Sequence, residues 1–153
     1  MKHYKDEKNN IFAYESDGSQ DAFIKEGLVP ISDEDLAAMI APTTEQLLSQ
    51  LSAARKEQER QGVVINDIRY AGDPGNRQTL QEAITYIEDA GLAEFPSWKD
   101  SDGVFHQNNP LADVKDAARA IGARRSQLIA AEGEYAAQII AGTLTDLTEV
   151  VWP

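Results

Sequence analysis

The chain has 153 residues, a formal net charge of −12 and a sequence pI near 4.5, and its length suits one ordinary domain or two small units. Because an acidic surface repels phosphate backbones and anionic lipids, this charge disfavours nucleic acid and membrane surfaces as partners. The sequence has no cysteine, which excludes disulfides and thiolate metal sites. It has no apolar run long enough for a membrane span, and residues 1–10 lack the apolar core of a secretory signal.

Residues 1–42 predict a short N-terminal β-hairpin followed by a helix. The runs "KHYK" and "IFAYE" have strand composition, and Asn9-Asn10 between them suits a hairpin turn. Ser32 ahead of the acidic run "DEDL" predicts a helix N-cap, and Pro42 predicts the end of that helix. We therefore expect residues 1–42 to form one segment and residues 43–153 to form a helical domain.

The region after residue 42 opens with a helix and a tight hairpin. Thr43 or Thr44 suits the cap, and Gly62 predicts the helix end. Its last turns, "RKEQER", are polar all round and favour a segment that projects beyond the core or serves as a connector. Asn66-Asp67 lies between two β-rich runs and predicts a two-residue hairpin turn. The apolar stripe of the helix consists of Leu47, Leu48, Leu51 and Ala54.

The stretch "YAGDPGNRQTL", residues 70–80, has two interpretations. Gly72 and Gly75 superficially suggest a phosphate-binding loop, but the lysine and the glycine spacing of such loops are absent. A turn that starts the helix "RQTLQEAITYIEDAG" is therefore the favoured interpretation. Arg77 near a helix start leaves anion binding, or a small anion-binding enzyme, open as an alternative.

A second hairpin is predicted over "SWKDSDGVFHQ", with Asp102-Gly103 at its turn. Trp98 and Phe105 flank this turn, and we expect their side chains to meet across the two strands.

Asn109 and Pro110 predict the start of the longest helix, with asparagine as the cap and proline as the first helical residue. Arg125 and Glu132 interrupt its apolar seam, which suits a helix that lies against other helices or a partner. The order of elements predicts an α+β, mostly α fold: N-terminal hairpin, then helix–hairpin–helix–hairpin–long helix. The seam consists of Leu111, Val114, Ala118, Ile121, Leu128, Tyr135 and Ile139.

No pattern in the sequence is typical of a catalytic or metal site. His3 and His106 stand apart from other potential ligands, "KDSDG" lacks the later ligands of a calcium loop, and a Gly-x-Ser-x-Gly motif is missing. We therefore expect a non-enzymatic protein without cofactor or metal. The large aromatic residues either anchor a contact with a partner protein or pack over a small apolar core. The candidate partner-binding residues are Tyr70, Trp98, Phe105, Tyr135 and Trp152.

The N-terminal block "MKHYKDEKNNIFAYESDGSQDAFIKEGLVPISDEDLAAM" resembles the start of bacteriophage and prophage tail-fibre assembly proteins. In those proteins a block of the form "YKDxxNNIFAYExDGSQDxFIxEGL" precedes a helical stretch. The resemblance covers about the first quarter of the chain.

The rest of the chain resembles a domain of unknown function found in phage tail proteins. The matching positions are Arg60, Gly62, Val63, Tyr70, Arg77, Gln78, Trp98, Asp102, Gly103 and Phe105. Together the two resemblances imply a tail-fibre assembly chaperone that binds the distal part of a fibre protein in the cytoplasm of the bacterial host. A structural component retained in the virion tail or fibre tip is the alternative, and association of the chain with itself stays open.

Overall fold

The computed structural model describes all 153 residues, which divide into two compact units, Met1–Thr43 and Thr44–Pro153. The predicted boundary between residues 42 and 43 lies one residue earlier. Four α-helices and three small antiparallel sheets make the fold a mixed α and β one, with 51% of residues helical. None of the helices has the length and apolar character that crossing a membrane requires.

The first unit contains a three-stranded sheet, one strand more than the predicted hairpin. The sheet order is β2-β1-β3, and both pairings are antiparallel. The additional strand forms in spite of Pro30 because β3 lies at the sheet edge, where a missing N–H breaks no ladder. The elements are β1 (Lys2–Lys5), β2 (Ile11–Tyr14), a 3₁₀ turn (Asp21–Phe23), β3 (Val29–Ile31) and α1 (Asp33–Ile40).

Side chains next to the backbone fix the turns of the first unit. The Asp6 carboxylate accepts hydrogen bonds from the N–H groups of Lys8 and Asn10 at 2.8 and 2.9 Å, and Asn9 has a positive φ of 61°. The Ser32 hydroxyl accepts the Asp35 N–H at 3.0 Å, which is the predicted N-cap of α1.

The second unit follows the predicted order of helix, hairpin, helix, hairpin and long helix. Asn66 and Asp67 both have positive φ, 49° and 63°, as a type I′ turn requires, so the predicted two-residue hairpin is confirmed. The elements are α2 (Thr44–Gln61), β4 (Val63–Ile65), β5 (Ile68–Tyr70), α3 (Pro74–Asp89), β6 (Glu94–Lys99), β7 (Phe105–Pro110), α4 (Leu111–Ile140) and a 3₁₀ turn (Leu147–Glu149).

The predicted start of the longest helix is wrong by one residue. Pro110 is the N-cap of α4 and Leu111 its first residue. Asn109 caps nothing because it belongs to β7, pairs with Phe95 and is 98% buried. Its amide donates to the hydroxyl of Tyr70 at 3.0 Å, so an expected capping residue is instead a buried partner of the core tyrosine.

Two apolar clusters lie along α4. One packs α3 and the two hairpins against the first half of the helix. The other packs the first half of α2, Leu144 and the C-terminal residues against the end of the helix. The first consists of Ile68, Tyr70, Leu80, Ile84, Ile87, Phe95, Val114, Ala117 and Ile121, and the second of Leu47, Leu51, Ile139 and Leu144.

The polar end of α2 lies against α4, and the expectation of a projecting or connecting segment is wrong. The side chains of Arg55 and Glu59 are 12% and 7% exposed, because they form ion pairs with charged residues of α4. The same pairs account for Arg125 and Glu132, which interrupt the predicted seam.

The stretch over residues 70–80 is a turn followed by a helix start, as favoured from the sequence. Asp73 is the N-cap of α3, where its carboxylate accepts the Asn76 N–H at 3.1 Å, and Pro74 is the first helical residue. Gly72 lets this turn approach α2, since a Cβ there would lie 2.3 Å from the carbonyl oxygen of Glu59.

Gly72→Ala should therefore lower the free energy of unfolding by about 1–3 kcal/mol, because backbone atoms would have to move apart. Urea denaturation measures the change. Gly75→Ala is the matched control: its Cβ would come no closer than 3.4 Å to Asp73, and the helical site should gain up to about 1 kcal/mol. Equal losses in the two variants would contradict the proposed close approach.

Candidate functional site

The β6–β7 hairpin ends in a loop that one carboxylate holds in shape. Asp100 Oδ1 accepts hydrogen bonds from the N–H groups of Asp102 and Val104 at 2.9 and 2.8 Å. Its Oδ2 lies 2.7 Å from Nε2 of His106. Three contacts to a side chain that is only 5% exposed fix the loop conformation.

These contacts also act on the ionisation of Asp100. The hydrogen bond to His106, followed by those from the backbone of Val104 and Asp102, lowers the pKa of the carboxyl below its ordinary value of 3.8. Each of these donors favours the ionised form, so the loop is held by a charged carboxylate.

Arg69 ties this loop to the neighbouring hairpin. Its Nε lies 2.9 and 3.0 Å from the two carboxylate oxygens of Asp102, and Nη2 donates to Asp102 Oδ1 at 2.7 Å. Nη2 also donates to the carbonyl of Ser101 at 3.0 Å, and the Ser101 N–H donates back to the Arg69 carbonyl at 3.1 Å. The tip of the second hairpin is therefore anchored at several points to β5.

An apolar pair stands exposed beside this fixed loop. Val104 and Phe105 are 53% and 66% exposed, and the Lys99 ammonium lies 5.5 Å from the centre of the Phe105 ring. The expectation that Trp98 and Phe105 meet is wrong, because Trp98 pairs with His106 and Phe105 pairs with Lys99. Neighbouring residues of a strand point to opposite faces, so the tryptophan turns to the core and the phenylalanine away from it.

The other candidate partner-binding residues lie at less accessible positions. Tyr70 is 2% exposed in the core, and Trp98 packs half-buried against Tyr70 and Phe95 at ring distances of 5.8 and 4.9 Å. Tyr135 and Trp152 are half-buried at 6.2 Å from each other. Of the five candidates, Phe105 is the one whose ring is mainly open to solvent.

A second exposed surface, which we term the outward strip, runs along α4 from residue 122 to residue 140. At 1.5 Å per residue it is about 27 Å long. A Cβ on Gly122 or Gly133 would meet no atom within 4 Å, so no close packing in the chain requires a glycine there. The strip consists of Gly122, Ala123, Ser126, Ile129, Ala130, Gly133, Ala137 and Ile140, all exposed and uncharged.

A network of charged side chains joins α2, α3 and α4. The Glu59 carboxylate pairs with Nη1 of Arg55 and lies 3.4 Å from both Arg77 Nη1 and Arg125 Nε. Arg55 Nε lies 2.6 Å from an oxygen of Glu132. The single buried carboxylate of α2 therefore contacts guanidinium groups from all three helices.

Sequence reasoning did not find this network, although its members lie in three features that the sequence had singled out separately. Arg55 and Glu59 belong to the polar end of α2, Arg77 follows the turn at Gly72, and Arg125 interrupts the seam of α4. The i,i+4 spacing of Arg55 and Glu59 was a visible signal of a pair. Their partners across the helices required the fold.

The comparisons with known proteins concern mainly the second unit. Residues 42–151 match the family model described as Domain of unknown function (DUF4376). The chain belongs to this family. No curated protein matches the chain, and no solved structure matches it either.

Acid should weaken the β6–β7 loop through Asp100. Its pKa is depressed in the folded chain, so its stabilising effect is present above the ordinary value of 3.8 and is lost as the pH falls through the folded pKa. Asp100→Asn should lower the free energy of unfolding at pH 7. Below about pH 4, the free energy of unfolding should fall less steeply in this variant than in the wild type.

Urea unfolding at pH 3, 5 and 7 measures this effect. Asp116→Asn is the control, since Asp116 pairs only with the exposed Arg119 on the surface of α4. If Asp100→Asn and the wild type lose the same stability between pH 5 and pH 3, the structural role given to the Asp100 carboxylate is wrong.

Proposed function

We propose that the protein is a tail-fibre assembly chaperone of a phage or prophage, which binds the distal part of a fibre protein and aids its folding or trimerisation. The resemblance of residues 1–39 to fibre assembly proteins supports the identity of the partner. The exposed apolar surfaces of the second unit support a role in protein binding. The site of action would be the cytoplasm of the bacterial host.

One observation carries the proposal: an exposed phenylalanine at the start of β7 stands next to a loop with a fixed conformation. Phe105 is 66% exposed, and the neighbouring loop is held by Asp100 and by the Arg69–Asp102 pair. A rigid aromatic anchor loses little conformational freedom on binding, which is the usual property of residues that dominate an interface.

The outward strip of α4 offers a second contact. Its small and aliphatic residues allow the backbone of a partner to come close, and it has no charge to desolvate. A fibre chain exposes unpaired strand edges and apolar side chains before its trimer closes. Transient cover of these groups would limit aggregation until the fibre is complete.

The proposed role is non-enzymatic. The charged side chains described above are engaged in tying elements together: Asp100 holds the hairpin loop, Arg69 joins the two hairpins and Glu59 links three helices. This use of the titratable groups supports a protein that acts through its surfaces.

A structural component of the phage tail or fibre tip is the second candidate, favoured by the resemblance of the second region to phage tail proteins. Mass spectrometry of purified particles separates the two roles. A stoichiometric amount of the chain in the virion supports the structural role, whereas its absence supports the chaperone.

Co-expression with the neighbouring fibre gene tests the proposal. The yield of soluble fibre trimer should rise severalfold when this chain is present, because the exposed surface of the unassembled fibre is covered. Equal yields with and without the chain would contradict a chaperone role.

The Phe105→Ala variant then tests whether the tip of the β6–β7 hairpin is the surface that binds the fibre. It should reduce the gain in soluble trimer and weaken capture of the fibre by about tenfold or more, the effect of losing an aromatic anchor. Tyr86→Ala is the matched control, because Tyr86 on α3 is also 66% exposed but lies outside the hairpin. The same loss in both variants would contradict a specific role of the hairpin tip.

A further inference from the structure

A pocket of about 510 Å³ opens between the second half of α2, the start of α3 and the middle of α4. Five cationic and three anionic side chains line it, which gives a formal excess of two positive charges. The chain as a whole has a net charge of −12. The pocket therefore concentrates positive charge within an acidic protein.

Two of the three carboxylates in the pocket are satisfied by other groups. Glu57 accepts two hydrogen bonds from Arg60, at 2.9 and 2.7 Å. Asp73 accepts the backbone N–H of Asn76 as the cap of α3. Arg55 also pairs with Glu132 outside the pocket lining, so Glu59 is the carboxylate left to balance Arg77 and Arg125.

Glu59 does not saturate these arginines. Its short ion pair is with Arg55, whereas Arg77 Nη1 and Arg125 Nε each lie 3.4 Å from one of its oxygens. Arg77 Nη1 also donates to the carbonyl of Gly72 at 2.7 Å. A guanidinium has five N–H donors, so both arginines keep donors without a partner in the chain.

The positions of Arg77 and Arg125 make these donors available. Their side chains are 29% and 44% exposed, and both line the same pocket. Glu59, 7% exposed, holds the two guanidinium groups from the buried side. Their other edges are then free to face a ligand that enters from solvent.

We propose that this pocket binds a compact oxyanion, a carboxylate or a phosphate, between Arg77 and Arg125. Guanidinium groups present paired N–H donors that match both kinds of oxyanion. The bound anion would offset the positive charge that Glu59 leaves unbalanced. The argument uses neither Phe105 nor the residues of the outward strip, so the inference does not depend on the proposed function.

Titration of the full chain with inorganic phosphate and, separately, with succinate tests the site. Sodium chloride holds the ionic strength constant, because exposed charges respond to salt in general. Arginine side-chain NMR signals report the binding. We expect a saturable shift of the Arg77 and Arg125 signals, and a midpoint about tenfold weaker in Arg125→Gln.

Arg119→Gln is the control, since Arg119 lies on the same helix with a side chain 74% exposed and pairs with Asp116 outside the pocket. It should bind as the wild type does. Arg77→Gln, checked for folding by circular dichroism, gives a second loss of binding.

Saturation by only one of the two anions supports the site and identifies its chemical class. The inference is overturned if neither anion gives a saturable response, or if Arg125→Gln and Arg119→Gln bind as the wild type does.

Discussion

The buried carboxylate of Glu59 is the constraint on which the second unit depends. Arg55 of α2, Arg77 of α3 and Arg125 of α4 meet around it, and Arg55 extends the network to Glu132. A carboxylate removed from water is costly unless it is paired, and loss of one partner of a buried pair typically costs about 3–5 kcal/mol. An arrangement of the three helices that separated these partners would therefore be costly, so the network constrains their alignment together with the apolar clusters that pack along α4.

The hairpins depend on this helical frame because each connects two of its helices. The chain passes from α2 through Gly62 into β4–β5, and from α3 through β6–β7 into α4. Tyr70 and Phe95 anchor the hairpins in the core, while Asp100 and Arg69 fix the loop beside Phe105. Local order at an exposed aromatic residue is what a binding surface needs, and here it follows from groups whose own role is structural.

Local signals in the sequence predicted local structure well. The Ser32 cap, the Asn66-Asp67 turn and the helix end at Gly62 depend on a few adjacent residues, and each is present. Long-range contacts could not be predicted from the sequence, because the partners of Glu59 come from elements far apart in the chain. The register of the β6–β7 hairpin decides to which face of the hairpin Trp98 and Phe105 point. A two-residue turn at Asp102-Gly103 would pair Lys99 with His106. The observed loop is longer and pairs Lys99 with Phe105. That shift of one residue reverses which side chain faces the core.

A double-mutant cycle across the two longest helices tests the central role of the charged network most directly. The free energies of unfolding of wild type, Arg55→Met, Glu132→Gln and the double variant give the coupling between side chains whose atoms lie 2.6 Å apart. We expect a favourable coupling of about 1–3 kcal/mol, because each single variant deprives a largely buried charge of one of its partners. A coupling near zero would mean that the Arg55–Glu132 contact does not help to align α2 and α4, which would contradict the role given to the network.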